Sequence, residues 1–93
     1  MFEILTFRLA PGVGEAAFRA IDERVQTEFV YQQPGILRRT LGRHDDGRWL
    51  ALTLWADASA ADAAERAFEV SDLGARFTAM IIDVEVDRFH GVE

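Results

Sequence analysis

The sequence contains no cysteine, no lysine and no asparagine, and only two prolines and two histidines in 93 residues. Without cysteine there are no disulfides, thiol nucleophiles, thiolate metal sites or iron–sulfur clusters. Without lysine, arginine is the sole cation, and the net charge is −6. An acidic chain repels a phosphate backbone. The one basic cluster, Arg38, Arg39, Arg43 and Arg48, is diluted by Asp45 and Asp46. It reads as a solvated hairpin and not as a nucleic-acid face. No apolar run approaches the ~20 residues that span a bilayer. Met1 to Leu5 lacks the basic stretch and long apolar run of a secretory signal, so the expected compartment is the cytoplasm. Gly12-Val13-Gly14 lacks the spacing and the lysine of a phosphate loop.

What the chain does have is apolar surface. Hydrophobic residues make up 49% of it, with seven Phe, two Trp and one Tyr. A single domain of this size buries only about 60–65% of the surface its unfolded chain exposes. The surplus implies a partner, and a second copy is the simplest one.

Phe2 to Leu9 alternates with period 2 and reads as a strand closed by Pro11-Gly12. From Val13 to Gln33 the apolar residues Ala17, Ile21, Val25 and Phe29 recur every four, which predicts an amphipathic helix stopped by Pro34-Gly35. Ile36–Arg43 and Arg48–Trp55 read as strands joined by a hairpin turn at His44-Asp45-Asp46-Gly47. Asp57 or Ser59 caps a second helix with Ala61, Ala64 and Phe68 inward. A short helical turn around Leu73 and Phe77 precedes a last strand, Ile81–Phe89. The order β-α-β-β-α-β predicts one ferredoxin-like α+β domain over residues 1–93, a four-stranded antiparallel sheet with its helices on one face.

Each strand then needs an apolar side beneath the helices. Leu5/Phe7/Leu9, Leu37/Leu41, Leu50/Leu52/Leu54 and Ile82/Val84/Val86 are the expected set. By parity the opposite face carries Ile4, Thr6, Arg8, Arg38, Thr40, Trp49, Ala51, Thr53, Trp55, Asp83, Glu85 and Asp87. Two tryptophans on one bare face mark an interface or a ligand site. A homodimer packed sheet to sheet would cover them, with Arg8 near Asp83 or Glu85 to balance charge.

The pattern Leu9-Ala10-Pro11-Gly12, Gln33-Pro34-Gly35-Ile36-Leu37, Leu54-Trp55-Ala56-Asp57, Phe77 and Asp83-Val84-Glu85-Val86 resembles the dimeric α/β-barrel superfamily, close to antibiotic-biosynthesis-monooxygenase-like domains. The resemblance implies a dimer of ferredoxin-like units. It also implies kinship with cofactor-free monooxygenases of quinol-like aromatics and with haem-degrading enzymes. The haem-degrading branch needs an Asn, a helical Trp and a His ligand. Here there is no Asn, Phe68 stands at the Trp position, and no His falls near Arg76 to Thr78. Haem degradation is therefore rejected, and neither a cofactor nor a metal is expected.

Two functions stay open. One is a cofactor-independent oxygenation of a small aromatic or polyketide-like molecule. Its candidate proton acceptors are His90 and Asp83, and its candidate substrate-binding residues are Trp55, Trp49, Thr53, Arg38 and Thr6. The other is a non-catalytic dimer that binds a small ligand or a protein. His90 also reads as part of a mobile terminus, the tryptophans as dimer packing, and Arg38 as a surface ion pair. His44 reads as a solvated turn residue, and Tyr31 as half-buried with its hydroxyl in water.

Overall fold

The Pro-Gly pairs and the alternating runs divide the chain where their chemistry requires. The computed structural model describes residues 1–93. Strand β1 (Phe2–Leu9) is followed by helix α1 (Glu15–Arg24), strands β2 (Ile36–Arg43) and β3 (Trp49–Trp55), helices α2 (Ala58–Glu69) and α3 (Asp72–Ala79), and strand β4 (Ile81–Phe89). The strands form one antiparallel sheet in the order β2-β3-β1-β4. The ferredoxin-like order expected from the sequence is the observed one. The expected short turn before β4 is the full helix α3.

The first helix departs from regularity for a reason visible in its spacing. Apolar residues placed every four drift around a helix of 3.6 residues per turn. After Arg24 the chain widens into a π-helical turn, Val25–Phe29, then tightens into a 3₁₀ turn, Val30–Gln32. The extra residue per turn keeps Val25, Phe29 and Val30 all against the sheet. The buried stripe starts at Phe18 and not at Ala17, which is exposed. Asp57 caps α2, its carboxylate accepting from the Ala60 amide at 2.8 Å. The Pro34-Gly35 turn packs against the same helix. At Gly35 φ is +85°, and an added Cβ would lie 2.5 Å from the Ala60 Cβ.

The register reverses the expected faces of β3. Directly paired strand residues share a face, and Phe7 pairs with Trp49, Leu5 with Ala51, and Glu3 with Thr53. Phe7 and Trp49 are buried beneath the helices, as are Ala51, Thr53 and Trp55. The open face therefore carries Leu50, Leu52 and Leu54 beside Phe2, Ile4 and Thr6. The tryptophans are interior. Sequence parity misplaced them because both sides of β3 are apolar. Cross-strand pairing also moves Ile82 away from Val84 and Val86, to the open face opposite Arg8. Arg8 does not reach Asp83 or Glu85. It donates to the Asp46 carbonyl at 2.8 Å in the hairpin turn.

An aromatic cluster forms the covered core. Phe18 stacks edge-on over Trp49 at 5.0 Å between centroids and meets Phe7 at 5.5 Å and Phe77 at 5.6 Å. Each such pair contributes about 0.5–1.5 kcal/mol beyond its buried area. Beside it lies a polar contact. Asp22 of α1 and Arg39 of β2 form a buried, bidentate ion pair at 2.7 and 3.1 Å, and Gln26 takes a further bond from Arg39 at 3.3 Å. Tyr31 braces the same residue. Its hydroxyl accepts from the Arg39 amide at 2.8 Å and donates to the Arg39 carbonyl at 3.3 Å. The outward backbone groups of Arg39 on the β2 edge are thereby paired, and the tyrosine hydroxyl is not simply in water as the sequence suggested.

Removing one partner of a buried pair strands a desolvated charge. Asp22→Ala is expected to cost about 3–5 kcal/mol in urea denaturation, whereas the double change D22L/R39M restores most of it. A single-variant loss below ~1 kcal/mol would show that the pair does not carry the helix–sheet contact.

Candidate ligand-binding cleft

Small residues in the middle of β3 and on α2 leave space that the aromatic cluster does not fill. Ala51 and Thr53 lie between Trp49 and Trp55 on the covered face, and Ala61 and Ala64 of α2 pack on Trp55. The π-helical turn brings Val25 and Phe29 to the opposite wall, while Phe68 and Phe77 close the inner end. The result is a mostly apolar cleft of about 410 Å³ between sheet and helices. That volume falls within the range of about 300–1,000 Å³ typical of small-molecule sites. Its mouth opens beside the edge strand β4, where Val84 and Val86 line it yet remain half exposed.

Few polar groups reach this space. Thr53, Arg39, Thr78 and three carboxylates, Glu3, Glu65 and Glu69, line it. Arg39 is already neutralised by Asp22. Arg88 of β4 holds the rim together. It bonds Glu3 at 3.0 Å, Asp62 at 2.6 Å and Glu65 at 3.2 Å, so one guanidinium ties β1 and β4 to α2. The hydrogen bond to Asp62, ahead of burial that opposes it, raises the Arg88 pKa above its ordinary value. Glu69 is the cleft carboxylate without an ion-pair partner. The acidic rim disfavours phosphorylated or carboxylate ligands.

One polar atom stands out. The Trp55 indole Nε1 is buried with no hydrogen-bond partner, the only buried side-chain nitrogen or oxygen in that condition.

The residues singled out in the sequence separate into three groups. Trp55 and Thr53 line the cleft. Trp49 lies beneath Phe18 in the core, outside the cleft. Thr6 points to the open face opposite Leu50 and Glu85, and Arg38 is exposed on β2 across from Leu54. Asp83 sits in a β4 bulge at φ 54°, exposed, and His90 follows β4, exposed; neither lines the cleft. His44 is exposed in the hairpin turn, where its Nδ1 accepts from the Asp46 amide at 3.0 Å. Glu3, Arg39, Glu69 and Arg88 were missed. Arg39 was legible: it shares parity with Leu41, an inward residue, and Asp22 interrupts the stripe of Phe18 and Val25.

Arg88→Leu is expected to destabilise by about 1 kcal/mol, since exposed bridges are individually weak. The loss should shrink in about 1 M NaCl, where screening relieves the three remaining carboxylates. A loss unchanged by salt would assign Arg88 a packing role instead.

No protein-family model matches the sequence, and no curated protein matches it. Solved structures do. A mutant of SnoaB, a cofactor-independent oxygenase from Streptomyces nogalater, superposes with a TM-score of 0.83 at 22% identity, covering 99% of this chain and 92% of that one. A Deinococcus radiodurans protein provisionally named an antibiotic biosynthesis monooxygenase gives 0.77 at 13% identity, covering 99% and 92%. A mutant of MhuD with two manganese protoporphyrin IX molecules bound per active site gives 0.71 at 18% identity, covering 99% and 94%. The chain shares the ferredoxin-like α+β fold of these solved structures.

Proposed function

We propose that the chain binds a small, neutral aromatic molecule in the cleft and oxidises it with dioxygen, without metal or flavin, as a homodimer joined through the open sheet face. The carrying observation is the apolar cleft of about 410 Å³, set in the fold of a cofactor-independent oxygenase. Such chemistry needs a substrate that, once deprotonated, reduces dioxygen itself. The protein contributes a dry pocket, a proton acceptor and a fixed orientation. Glu69 is the proton acceptor in this reading, because Glu3 and Glu65 are held by Arg88. His90 and Asp83 lie away from the cleft and enter only if a second subunit brings them to its mouth. No histidine lines the cleft, which leaves a haem without an axial ligand from this chain.

The dimer rests on surface. Only 14 of 93 residues are buried. The exposed area is 5920 Å², against about 5,400 Å² expected of a monomer of this mass. The molecule is a slab 18 Å thick, one sheet and one helical layer. Its bare face presents Leu50, Leu52, Leu54, Phe2 and Ile4 between Arg38 at one edge and Glu85 and Asp87 at the other. Two-fold packing lays the basic edge of one copy over the acidic edge of its twin. The dimer face foreseen in the sequence is kept, but leucines form it and the tryptophans do not.

Two measurements test this reading. Light scattering should give about twice 10.5 kDa, and Leu52→Asp should give the single-chain mass; a monomeric parent protein removes the dimer. Naphthalene-type quinols should bind and consume dioxygen, with Glu69→Gln lowering uptake about 10²-fold or more while binding persists. Binding without uptake selects the non-catalytic ligand-binding dimer. Neither binding nor uptake rejects the cleft as a site for aromatics.

A further inference from the structure

We infer that the Thr53 hydroxyl, on the sheet wall of the cleft, selects the ligand by hydrogen bonding to a hydroxyl group on its aromatic frame. The inference rests on the cleft being the aromatic site. Thr53 pairs with Glu3 of β1 and Arg39 of β2, and all three line the cleft. A polar row thus crosses a sheet wall that is otherwise apolar, with Leu5, Ala51 and Trp55 around it. Both ends of the row are occupied: Glu3 is bonded to Arg88, and Arg39 to Asp22. The middle is not. Thr53 is 7% exposed, and its hydroxyl makes no hydrogen bond within the chain. Unlike the Trp55 nitrogen, the Thr53 oxygen is not sealed from solvent. The side chain lies beneath the helices, so the open space that reaches it is the cleft. The other uncharged polar residue of the lining, Thr78, is exposed on α3; Thr53 alone is buried.

The chemistry of the missing partner follows from the neighbours. A threonine hydroxyl both donates and accepts. The carboxylates of Glu3, Glu65 and Glu69 only accept, and together they disfavour an anion. A ligand carbonyl brings no hydrogen to such walls. A ligand hydroxyl takes a hydrogen bond from Thr53 and still has one to give on the Glu3 side of the row. An unsubstituted hydrocarbon filling the cleft would shut the Thr53 hydroxyl away from solvent and leave it unpaired, a cost that the hydroxylated ligand avoids. Thr53 thus sets specificity, because a site with a buried hydrogen-bonding group discriminates against an analogue that leaves the group without a partner.

The test uses the full chain with 2-naphthol and naphthalene, which share a bicyclic frame and differ by one hydroxyl. In Thr53→Val the affinity ratio of 2-naphthol to naphthalene should fall about tenfold, equivalent to about 1.4 kcal/mol. Thr53→Ser, which keeps the hydroxyl, should hold the parent ratio. Because the hydroxyl has no partner inside the protein, Thr53→Val should melt no lower than the parent chain. An unchanged ratio in Thr53→Val overturns the inference and leaves the cleft intact. A ratio lost equally in Thr53→Ser also overturns it, by assigning the effect to the methyl group. So does a melting temperature lowered by about 4 °C or more in Thr53→Val, which would give the hydroxyl a structural role instead. Failure of both compounds to bind the parent chain rejects the cleft reading and this inference together.

Discussion

Strand β3 has two apolar faces, and the helices can cover only one. Almost everything else follows from that constraint. The pairing of Phe7 with Trp49 commits the tryptophan side to the helices. That side runs large, small, small, large: Trp49, Ala51, Thr53, Trp55. The large residue at one end meets Phe18, which in turn meets Phe7 and Phe77, and together they make the core. The small pair in the middle cannot fill the helix–sheet gap, and the cleft is the unfilled remainder. The three leucines are left on the bare side, where only another molecule can cover them. Core, cleft and bare face are one packing decision seen from three places.

The fold was legible because its signals are local. Period-2 runs, Pro-Gly stops and an Asp-Gly hairpin act on neighbouring residues, and strand ends fell within a residue of their observed positions. Which face of β3 turns inward is not local. Leu50/Leu52/Leu54 and Trp49/Ala51/Trp55 are both acceptable beneath helices, and the choice is settled by cross-strand partners on β1. The site suffered from the same ambiguity. Trp55 and Thr53 were named for the right chemistry on the wrong face. Arg39 was passed over because the sequence reading gives the ligand-facing role to its neighbour Arg38, on the side expected to carry the tryptophans, and Asp22 is not legible there as a partner. A carboxylate on one element's buried stripe and a guanidinium on another's form a pattern that neither element reveals alone.

That ion pair also explains how an irregular helix is tolerated over the cleft. A π-helical turn gives up regular hydrogen bonding and survives where tertiary contacts hold it. Here the contacts flank it: Asp22 and Gln26 bind Arg39, and Tyr31 just beyond the turn binds the Arg39 backbone. One residue of β2 anchors the helix before, within and after the distortion. In return the turn presents Val25 and Phe29 to the cleft. Buried polarity is costly unless paired, and its placement beside the cleft wall ties the shape of the site to the stability of the fold.

The edge strand solves a related problem with one extra residue. Read as uniform alternation, β4 would put Ile82, Val84 and Val86 on a single face. Between Arg8–Ile82 and Thr6–Glu85 the register gains a residue on β4, and Asp83 takes up the turn at φ 54°. Left-handed backbone is strained for most side chains, but aspartate is among the few non-glycine residues enriched there. The bulge sends Ile82 to the leucine face and leaves Val84 and Val86 at the mouth of the cleft. Without it, one of the two apolar surfaces would lose its edge. Asp83 therefore has a physical role whatever chemistry the cleft performs: it allows a single strand to serve both sides of the sheet.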